Sequence, residues 1–531
     1  MSEKHLHQTA IQAINKKQFD VAQRALIQIL NNNHSFYDGY FLLGVIEAEL
    51  GTYTKAVALM SKAAQMHPCA EYFAHLARCY ALIGDSNKTH EAISQVQQFT
   101  LDNALTIDTI GVALSRIGDH DQAIEYFKRA IKLKPDASFY YNLGSSQTFA
   151  GLFDDARNSY ELAIKLEPTF YQAHSSLSHL GGTDKEHNHI DRLQALLPKL
   201  TSVNSKLHIA HALARELGSV DEFGAAFSQL EIAKGEKAKS LNYQFSQDQL
   251  IFETLKTCFT EELIKEINRN NSKKQKTNTD LDFAPIFVTG MPRSGTTLIE
   301  RVLTNNNIVK SAGELQEFAI AIKRIAKTSS QYILDPATIK AAITSDLSEI
   351  GELYRQCVKN IVKGASRFVD KMPLNVLNAG FIIGAIPTAK IVCVIRNPMD
   401  TIWGNYKQLF SLTDSYYNYA FSQVDTAKYY CEFVRLAEFW QTAFPDQFKI
   451  VRYDDFVQQP EIIGKEFVEF CGLVYDSKML EITNNKSAVA TASSVQVRSK
   501  ISTSSLGQWL KYRSFLQPAY NEVISQGIKL D

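Results

Sequence analysis

The sequence predicts two architectures in one chain: an all-α solenoid of stacked helices, then an α/β domain built on a parallel sheet. Three observations carry this. Small residues and helix-ending glycines recur with a period near 34 through the first third of the 531 residues. From about residue 284 the pattern changes to short β-branched runs separated by helical stretches. Just past that change stands Phe287-Val288-Thr289-Gly290-Met291-Pro292-Arg293-Ser294-Gly295-Thr296-Thr297: an apolar strand, a Gly/Pro/Ser turn and the start of a helix.

In the first part, one repeat position falls on Ala22, Ala56, His90, Ala123 and Ala156, at spacings of 34, 34, 33 and 33. It is small in every copy but the third, where Ala92 lies two residues on. Gly51, Gly84, Gly118 and Gly151 keep the same rhythm, Ala63, Ala130 and Ala163 follow seven positions after the first small residue, and Pro68, Pro135 and Pro168 close repeats. Small residues let antiparallel helices approach, and the glycine supplies a left-handed cap between them. This is the tetratricopeptide pattern; a generic bundle would not hold phase over four periods. Stacked repeats offer a concave surface, so the predicted partner is a protein or peptide, with docking of the neighbouring domain or a homodimer as alternatives. The histidines here fall at unrelated phases and read as packing or surface residues.

The expected boundaries are 1–170 for the repeats, 171–269 for a degenerate repeat pair and helical cap, 270–283 for a polar linker, and 284–531 for the α/β domain. The cap includes an amphipathic helix around Leu207–Leu217 and a connecting helix from Leu250 to Ile264. Composition is that of a globular protein, 45% hydrophobic and 21% charged with zero formal net charge, which argues against nonspecific nucleic-acid binding. The seven cysteines are scattered, odd in number and form no C-x-x-C pair, so neither a metal site nor a disulfide framework is expected. With no apolar signal core and no membrane-length apolar run, the sequence predicts a cytoplasmic protein without a membrane span.

In the α/β part, Ile286–Thr289, Phe368–Val369, Lys390–Ile395 and Lys449–Arg452 are the candidate strands. The loop after the first is an anion site, because a helix N-terminus points free N–H groups and its positive dipole end at whatever the loop holds. Its spacing, Gly-x-x-x-x-Gly-x-[Ser/Thr], is that of a nucleotide P-loop, but Thr296 stands where the lysine is expected. Triphosphate chemistry is therefore disfavoured. Arg293 supplies the charge instead, and its planar fork suits a phosphate or sulfate oxygen pair without a metal. Arg396, at the end of an apolar strand in Val394-Ile395-Arg396-Asn397-Pro398, offers a second anion site, unless it merely salt-bridges a helix. Two such sites on one sheet point to a nucleotide phosphorylated at both ends of the ribose.

Pro292-Arg293-Ser294-Gly295-Thr296-Thr297 resembles the 5′-phosphosulfate loop of sulfotransferases that use 3′-phosphoadenosine 5′-phosphosulfate, and Arg396-Asn397-Pro398 resembles their 3′-phosphate motif. The likeness is to tyrosylprotein sulfotransferases and to bacterial proteins joining tetratricopeptide repeats to such a domain. It implies a P-loop-like sulfotransferase fold with that nucleotide as co-substrate and no metal. It also implies that Glu314, in Gly313-Glu314, is the general base and that Lys371, in Asp370-Lys371-Met372-Pro373, faces the transferring group. Tyr453 would lie near the adenine. A late segment, Ser493-Ser494-Val495-Gln496-Val497-Arg498, matches the family pattern, with Ser493 in the catalytic set, Arg498 binding nucleotide, and Trp509 and Tyr512 completing it.

The implied roles follow from in-line displacement, in which positioning and charge stabilisation dominate. Glu314 would take the acceptor proton; Arg293, Lys371 and Ser493 would meet charge on the sulfuryl group and the departing phosphate. Taken singly, Glu314 could cap a helix and Lys371 could be solvated; their order around two phosphate motifs favours the catalytic reading. Three positions depart from the family: Gly404 replaces a phosphate-binding serine, whose hydrogen bond is missing or comes from Asn405; Gln508 replaces a basic residue; and Ser499-Lys500 displaces a proline. The predicted function is thus sulfuryl transfer to a hydroxyl or amine acceptor. The alternatives are a repeat-based scaffold carrying an inactive nucleotide-binding domain and, least favoured, a kinase or hydrolase.

Overall fold

The computed structural model describes residues 2–276, 283–330, 332–412, 415–484 and 500–530. The chain forms two compact units, Met1–Gly182 and Thr183–Asp531.

The first unit is a succession of helix pairs: Glu3–Asn15 with Phe19–Asn32, Tyr37–Glu49 with Tyr53–Met66, Ala70–Ile83 with Ser86–Val96, Ala104–Arg116 with His120–Leu133, and Ala137–Ala150 with Phe153–Leu166, followed by Tyr171–His179. Ala22, Ala56, Ala123 and Ala156 are all fully buried between helices; in the third pair Ala92 is buried and His90 is exposed. Gly51, Gly84, Gly118 and Gly151 turn the chain at φ of 80°, 83°, 86° and 83°, a conformation that costs other residues. A further set of glycines does different work. A Cβ on Gly44, Gly111 or Gly144 would come within 2.6, 2.6 and 2.8 Å of Met60, Phe127 and Tyr160, so each makes room for the large side chain of its paired helix. Residues 34 apart also bond directly, Tyr72 to Asp38 at 2.9 Å and Asn142 to Asp108 at 3.0 Å.

The second unit begins at Thr183 and so takes in most of the expected cap as well as the α/β domain. Helices Val203–Ser219 and Phe223–Leu241, expected to cap the solenoid, group with the α/β elements because their aromatic face is covered by them. Phe227 stacks with Trp403 at 6.1 Å and with Phe515 at 5.3 Å. The expected connecting helix is two helices, Phe245–Cys258 and Glu261–Lys276. They break where Phe259 inserts edge-on against Trp440 and Phe381, at 4.9 and 5.2 Å, and Thr260 caps the second through the Leu263 N–H. That second helix runs across the start of the expected linker, where buried Asn271 donates to Ile383 O and Gln447 Oε1 at 3.0 and 2.9 Å. Residues 277–282 of the expected linker lie outside the described residues.

The sheet has five strands, β1 Ile286–Gly290, β2 Lys310–Gly313, β3 Phe368–Asp370, β4 Lys390–Ile395 and β5 Phe448–Arg452. Their spatial order is β2-β3-β1-β4-β5, and every neighbouring pair is parallel. β1 is central, with Val288 beside Val392 and Gly290 beside Val394. Ile286, Val288, Val369, Val392, Val394 and Val451 build one core with Ile299, Val302 and Leu303 of helix Thr296–Thr304. β2 was not expected. Its sequence, Lys-Ser-Ala-Gly, is polar and partly exposed, as suits an edge strand but gives no apolar run to recognise.

Candidate active site

Each strand presents a site residue at its carboxyl end, where open α/β sheets bind ligands. β1 leads into the loop 291–295, β2 into Glu314, β3 into Lys371, β4 into Arg396 and β5 into Tyr453.

The loop is held by close approaches that only glycine permits. A Cβ on Gly290 would lie 2.6 Å from Val394 O, and one on Gly295 would lie 2.2 Å from the Tyr453 ring. Arg293 itself sits at φ 67°, a conformation costing a non-glycine residue ~1–3 kcal/mol. Asn405 secures the loop by donating to Pro292 O at 2.7 Å; it also donates to Thr401 O and accepts from the Tyr419 hydroxyl. Asn405 is thus committed to the protein and does not replace the missing serine. Gly404 has its own reason: a Cβ there would meet Arg293 Cβ at 3.0 Å.

Helix Thr296–Thr304 begins at Gly295 with no side chain capping it, leaving first-turn N–H groups directed at the loop. Ser294 is buried with its Oγ lacking a hydrogen-bond partner. Buried polar groups are normally satisfied, so this hydroxyl is an exception within the loop, although Ser294 lines neither of the clefts beside it.

Two clefts meet at this loop and share Arg293, Gly295 and Thr297. The first, of about 390 Å³, is lined by Arg293, Arg396, Lys407 and Lys500, with Asp400 as the acidic group among its described walls. Burial and then the charge of Arg396 hold the Arg293 guanidinium below its ordinary value. Lys407 reaches water at the cleft, yet desolvation by the walls and then Arg293 and Arg396 push its ammonium down to about 8. Such crowding of cations is costly without a ligand of opposite charge. Arg396 donates to Ser505 O and, at 3.4 Å, to Arg293 O, lies 3.5 Å from Asp400 and stacks 4.9 Å above the Tyr453 ring; its buried Nε has no partner. The Tyr453 hydroxyl bonds Ser505 Oγ at 2.9 Å. Asp400 accepts from Gly507 N at 2.7 Å and Trp509 N at 3.1 Å, tying the C-terminal segment across the cleft, and Tyr512 packs on Trp403 at 4.0 Å.

The second cleft, of about 370 Å³, holds Glu314 and Gln316, the Met372–Leu374 segment and an aromatic loop containing Phe410, Tyr416 and Tyr417. Lys371 is buried and ion-pairs with Glu314, which is 41% exposed at the side chain. The geometry around them is fixed from three directions. Lys371 N donates to Gly313 O at 2.8 Å, Thr289 Oγ1 donates to Pro373 O at 2.6 Å, and Ser311 donates to Glu300 at 2.6 Å. Burial raises the Glu300 carboxyl, with the nearby Lys371 opposing.

Of the residues expected at the site, Pro292, Arg293, Ser294, Gly295, Thr296, Thr297, Glu314, Lys371, Arg396 and Tyr453 converge here. Ser493 and Arg498 lie outside the described residues. Lys407 was missed, although Asp400, Trp403, Gly404 and Lys407 share one face of helix Pro398–Tyr406 and its end, a spacing that a helical projection reveals. Lys234 was also missed. It is 1% exposed and donates from helix Phe223–Leu241 to Gln408 O at 3.3 Å and Ala420 O at 2.8 Å, the two ends of the aromatic loop. Burial pushes its ammonium down to about 7. Beside it, His211 donates from Nδ1 to Lys407 O at 3.2 Å, and burial and then Lys234 keep that imidazole neutral-leaning, well below its ordinary value.

A parallel sheet carries a glycine-bounded loop at the end of its central strand, a cationic cleft and a carboxylate–lysine pair, an arrangement that a group-transferase domain can use. Its family follows: residues 285–477 match the sulfotransferase family, and residues 9–85 and 109–169 match the tetratricopeptide repeat, so the chain carries a sulfotransferase-family domain behind a repeat array. An uncharacterized protein of Aquifex aeolicus (strain VF5) is 27% identical over 392 residues, covering 72% of this chain and 49% of the relative; the chain thus spans about half that protein's length. A putative protein-tyrosine sulfotransferase of Caenorhabditis briggsae is 27% identical over 241 residues, covering 42% of this chain and 80% of that protein. Among solved structures, a thermophilic tetratricopeptide-repeat protein of Thermus thermophilus aligns with 15% identity and a TM-score of 0.32, over 34% of this chain and 98% of that one. No helix among the described residues is long and apolar enough to cross a membrane.

Proposed function

We propose that the second unit transfers a sulfuryl group from 3′-phosphoadenosine 5′-phosphosulfate to a hydroxyl or amine acceptor, and that the repeats dock a protein or peptide. The observation that carries this reading is the junction of two clefts at one anion loop, one lined by four cations and the other holding Glu314 against Lys371. The nucleotide fits the first cleft by charge: Arg396, Lys407 and Lys500 suit a 3′-phosphate, while Arg293 and the uncapped N-terminus of helix Thr296–Thr304 suit a 5′-phosphate. The co-substrate supplies a sulfuryl group on a phosphate leaving group. As the acceptor oxygen bonds to sulfur and the sulfur–phosphate oxygen bond breaks, Glu314 receives the acceptor proton. Lys371 and Arg293 meet the charge that develops on the bridging oxygen.

Calorimetry with 3′-phosphoadenosine 5′-phosphate and, separately, ATP–magnesium tests the donor. Magnesium-independent binding of the bisphosphate is expected, and preference for ATP–magnesium would overturn the reading. Glu314→Gln keeps a partner for Lys371 but removes the base. It should lower transfer by roughly 10²–10⁴ while leaving bisphosphate affinity intact; retained turnover would remove Glu314 from that role.

A further inference from the structure

The acceptor cleft borders a smaller arm of about 40 Å³ that shares Gln316, Met372, Leu374 and Tyr416 with it. The arm is walled by Leu315, Ile333, Leu334 and Leu377, and none of its described lining residues is charged. Two buried carboxamides complete it, beside the exposed Gln316. Asn375 is 2% exposed and Asn378 is 4% exposed. Asn378 Nδ2 donates to Asn375 Oδ1 at 3.1 Å, which leaves Asn375 Nδ2 and Asn378 Oδ1 buried without partners. Exchanging N and O in both amides preserves the mutual bond and again leaves one donor and one acceptor, so the outcome does not depend on how the amides are oriented. The pair thus has one unused donor and one unused acceptor, which complement a hydroxyl or a carboxamide, each of which gives and accepts at once. Room for a few heavy atoms exceeds what one water needs.

The larger cleft agrees in character. Its described lining has Arg293 and Glu314 as charged groups, both at the loop where transfer would occur, while Phe410 stacks on Tyr417 at 4.5 Å in the outer wall. The cationic residues gather in the other cleft.

We propose that the acceptor is an uncharged, ring-bearing hydroxyl compound whose short apolar substituent ends in a hydroxyl or carboxamide held between Asn375 and Asn378. This rests on the sulfuryl-transfer reading above. An acidic peptide or an anionic glycan would bring negative charge to walls whose described residues offer it no cation beyond Arg293.

The test uses the full chain loaded with 3′-phosphoadenosine 5′-phosphate and three probes: 4-(2-hydroxyethyl)phenol, 4-ethylphenol and 4-hydroxyphenylacetate. Binding is read by calorimetry, so no turnover is required. The hydroxyl-tipped phenol should bind about tenfold more tightly than the ethyl analogue, with the carboxylate weakest. The double substitution Asn375→Leu with Asn378→Leu should level the first two while bisphosphate affinity stays within about twofold. Equal binding of the three, preference for the carboxylate, or no probe binding to nucleotide-loaded protein overturns the acceptor proposal and leaves the transfer reading standing. Failure to bind the bisphosphate at all overturns both. A crystal of the probe complex in which a water still bridges the two amides would also overturn it, and this needs no variant that must fold.

Discussion

Replacing Gly295 by alanine should release the anion loop from the end of β5. Gly295 sits at φ 105°, ψ 13°, and an added methyl would lie 2.2 Å from Tyr453 Cδ2 and 2.5 Å from Cε2. The backbone conformation costs a residue with a Cβ ~1–3 kcal/mol, and overpacking against a ring typically adds ~1–3 kcal/mol. Tyr453 has little freedom to retreat, because its hydroxyl bonds Ser505 and the Arg396 guanidinium covers its face. The loop must therefore yield, carrying Arg293 and the helix N-terminus with it. Even the lower sum, ~2 kcal/mol, corresponds to roughly a 30-fold loss of affinity for 3′-phosphoadenosine 5′-phosphate. Calorimetry on the full chain measures this, with circular dichroism to show that the fold persists. Adding Tyr453→Leu removes the ring edge but not the backbone cost, so it should restore only part of the loss. Affinity within about threefold of wild type in Gly295→Ala would refute the claim that the loop geometry depends on this contact.

Three further outcomes follow from buried or crowded cations. Desolvation and then Arg293 and Arg396 push the Lys407 ammonium down to about 8, so wild-type affinity for the bisphosphate should weaken as pH rises through that range; Lys407→Gln should bind about tenfold less tightly and show no such inflection. Lys234→Met should raise the acceptor KM about tenfold, because the aromatic loop loses both its carbonyl anchors, while bisphosphate Kd stays within about twofold. The folded value for Lys234 lies below its ordinary 10.5, so between 7 and 10.5 the unfolded chain holds more protons. Wild type should then gain on the Met variant by up to about 1.4 kcal/mol per pH unit across that window, read as a widening difference in thermal midpoints.

The parts of the molecule that were legible in advance are those where backbone chemistry allows few substitutes. Gly290 and Gly295 are required by approaches closer than a Cβ allows, so the loop announces itself in sequence. The repeat alanines are visible for the same reason, being fully buried at helix crossings. β2 was invisible because an edge strand can be short and polar, yet it is the strand that aims Glu314. Lys407 left a helical spacing with Asp400, Trp403 and Gly404 that could have been read, whereas Lys234 was invisible because its meaning lies in tertiary neighbours: a lysine under a loop looks like any other in sequence. Gly404 appeared as a lost phosphate ligand, whereas its contact with Arg293 gives it a packing role.

Lys234 and His211 lie upstream of residues 285–477, the segment that matches the family, yet they hold the carbonyls on which the aromatic loop hangs. The α/β unit is therefore held by more of the chain than the segment that matches the family. Cutting the chain near residue 284, or grafting the piece beyond it onto another repeat array, would strip three carbonyls of their donors and expose the aromatic face that Phe227 covers. A transplantable version must carry the helices from Val203 to Leu241 together with the α/β domain, whatever it leaves behind of the solenoid.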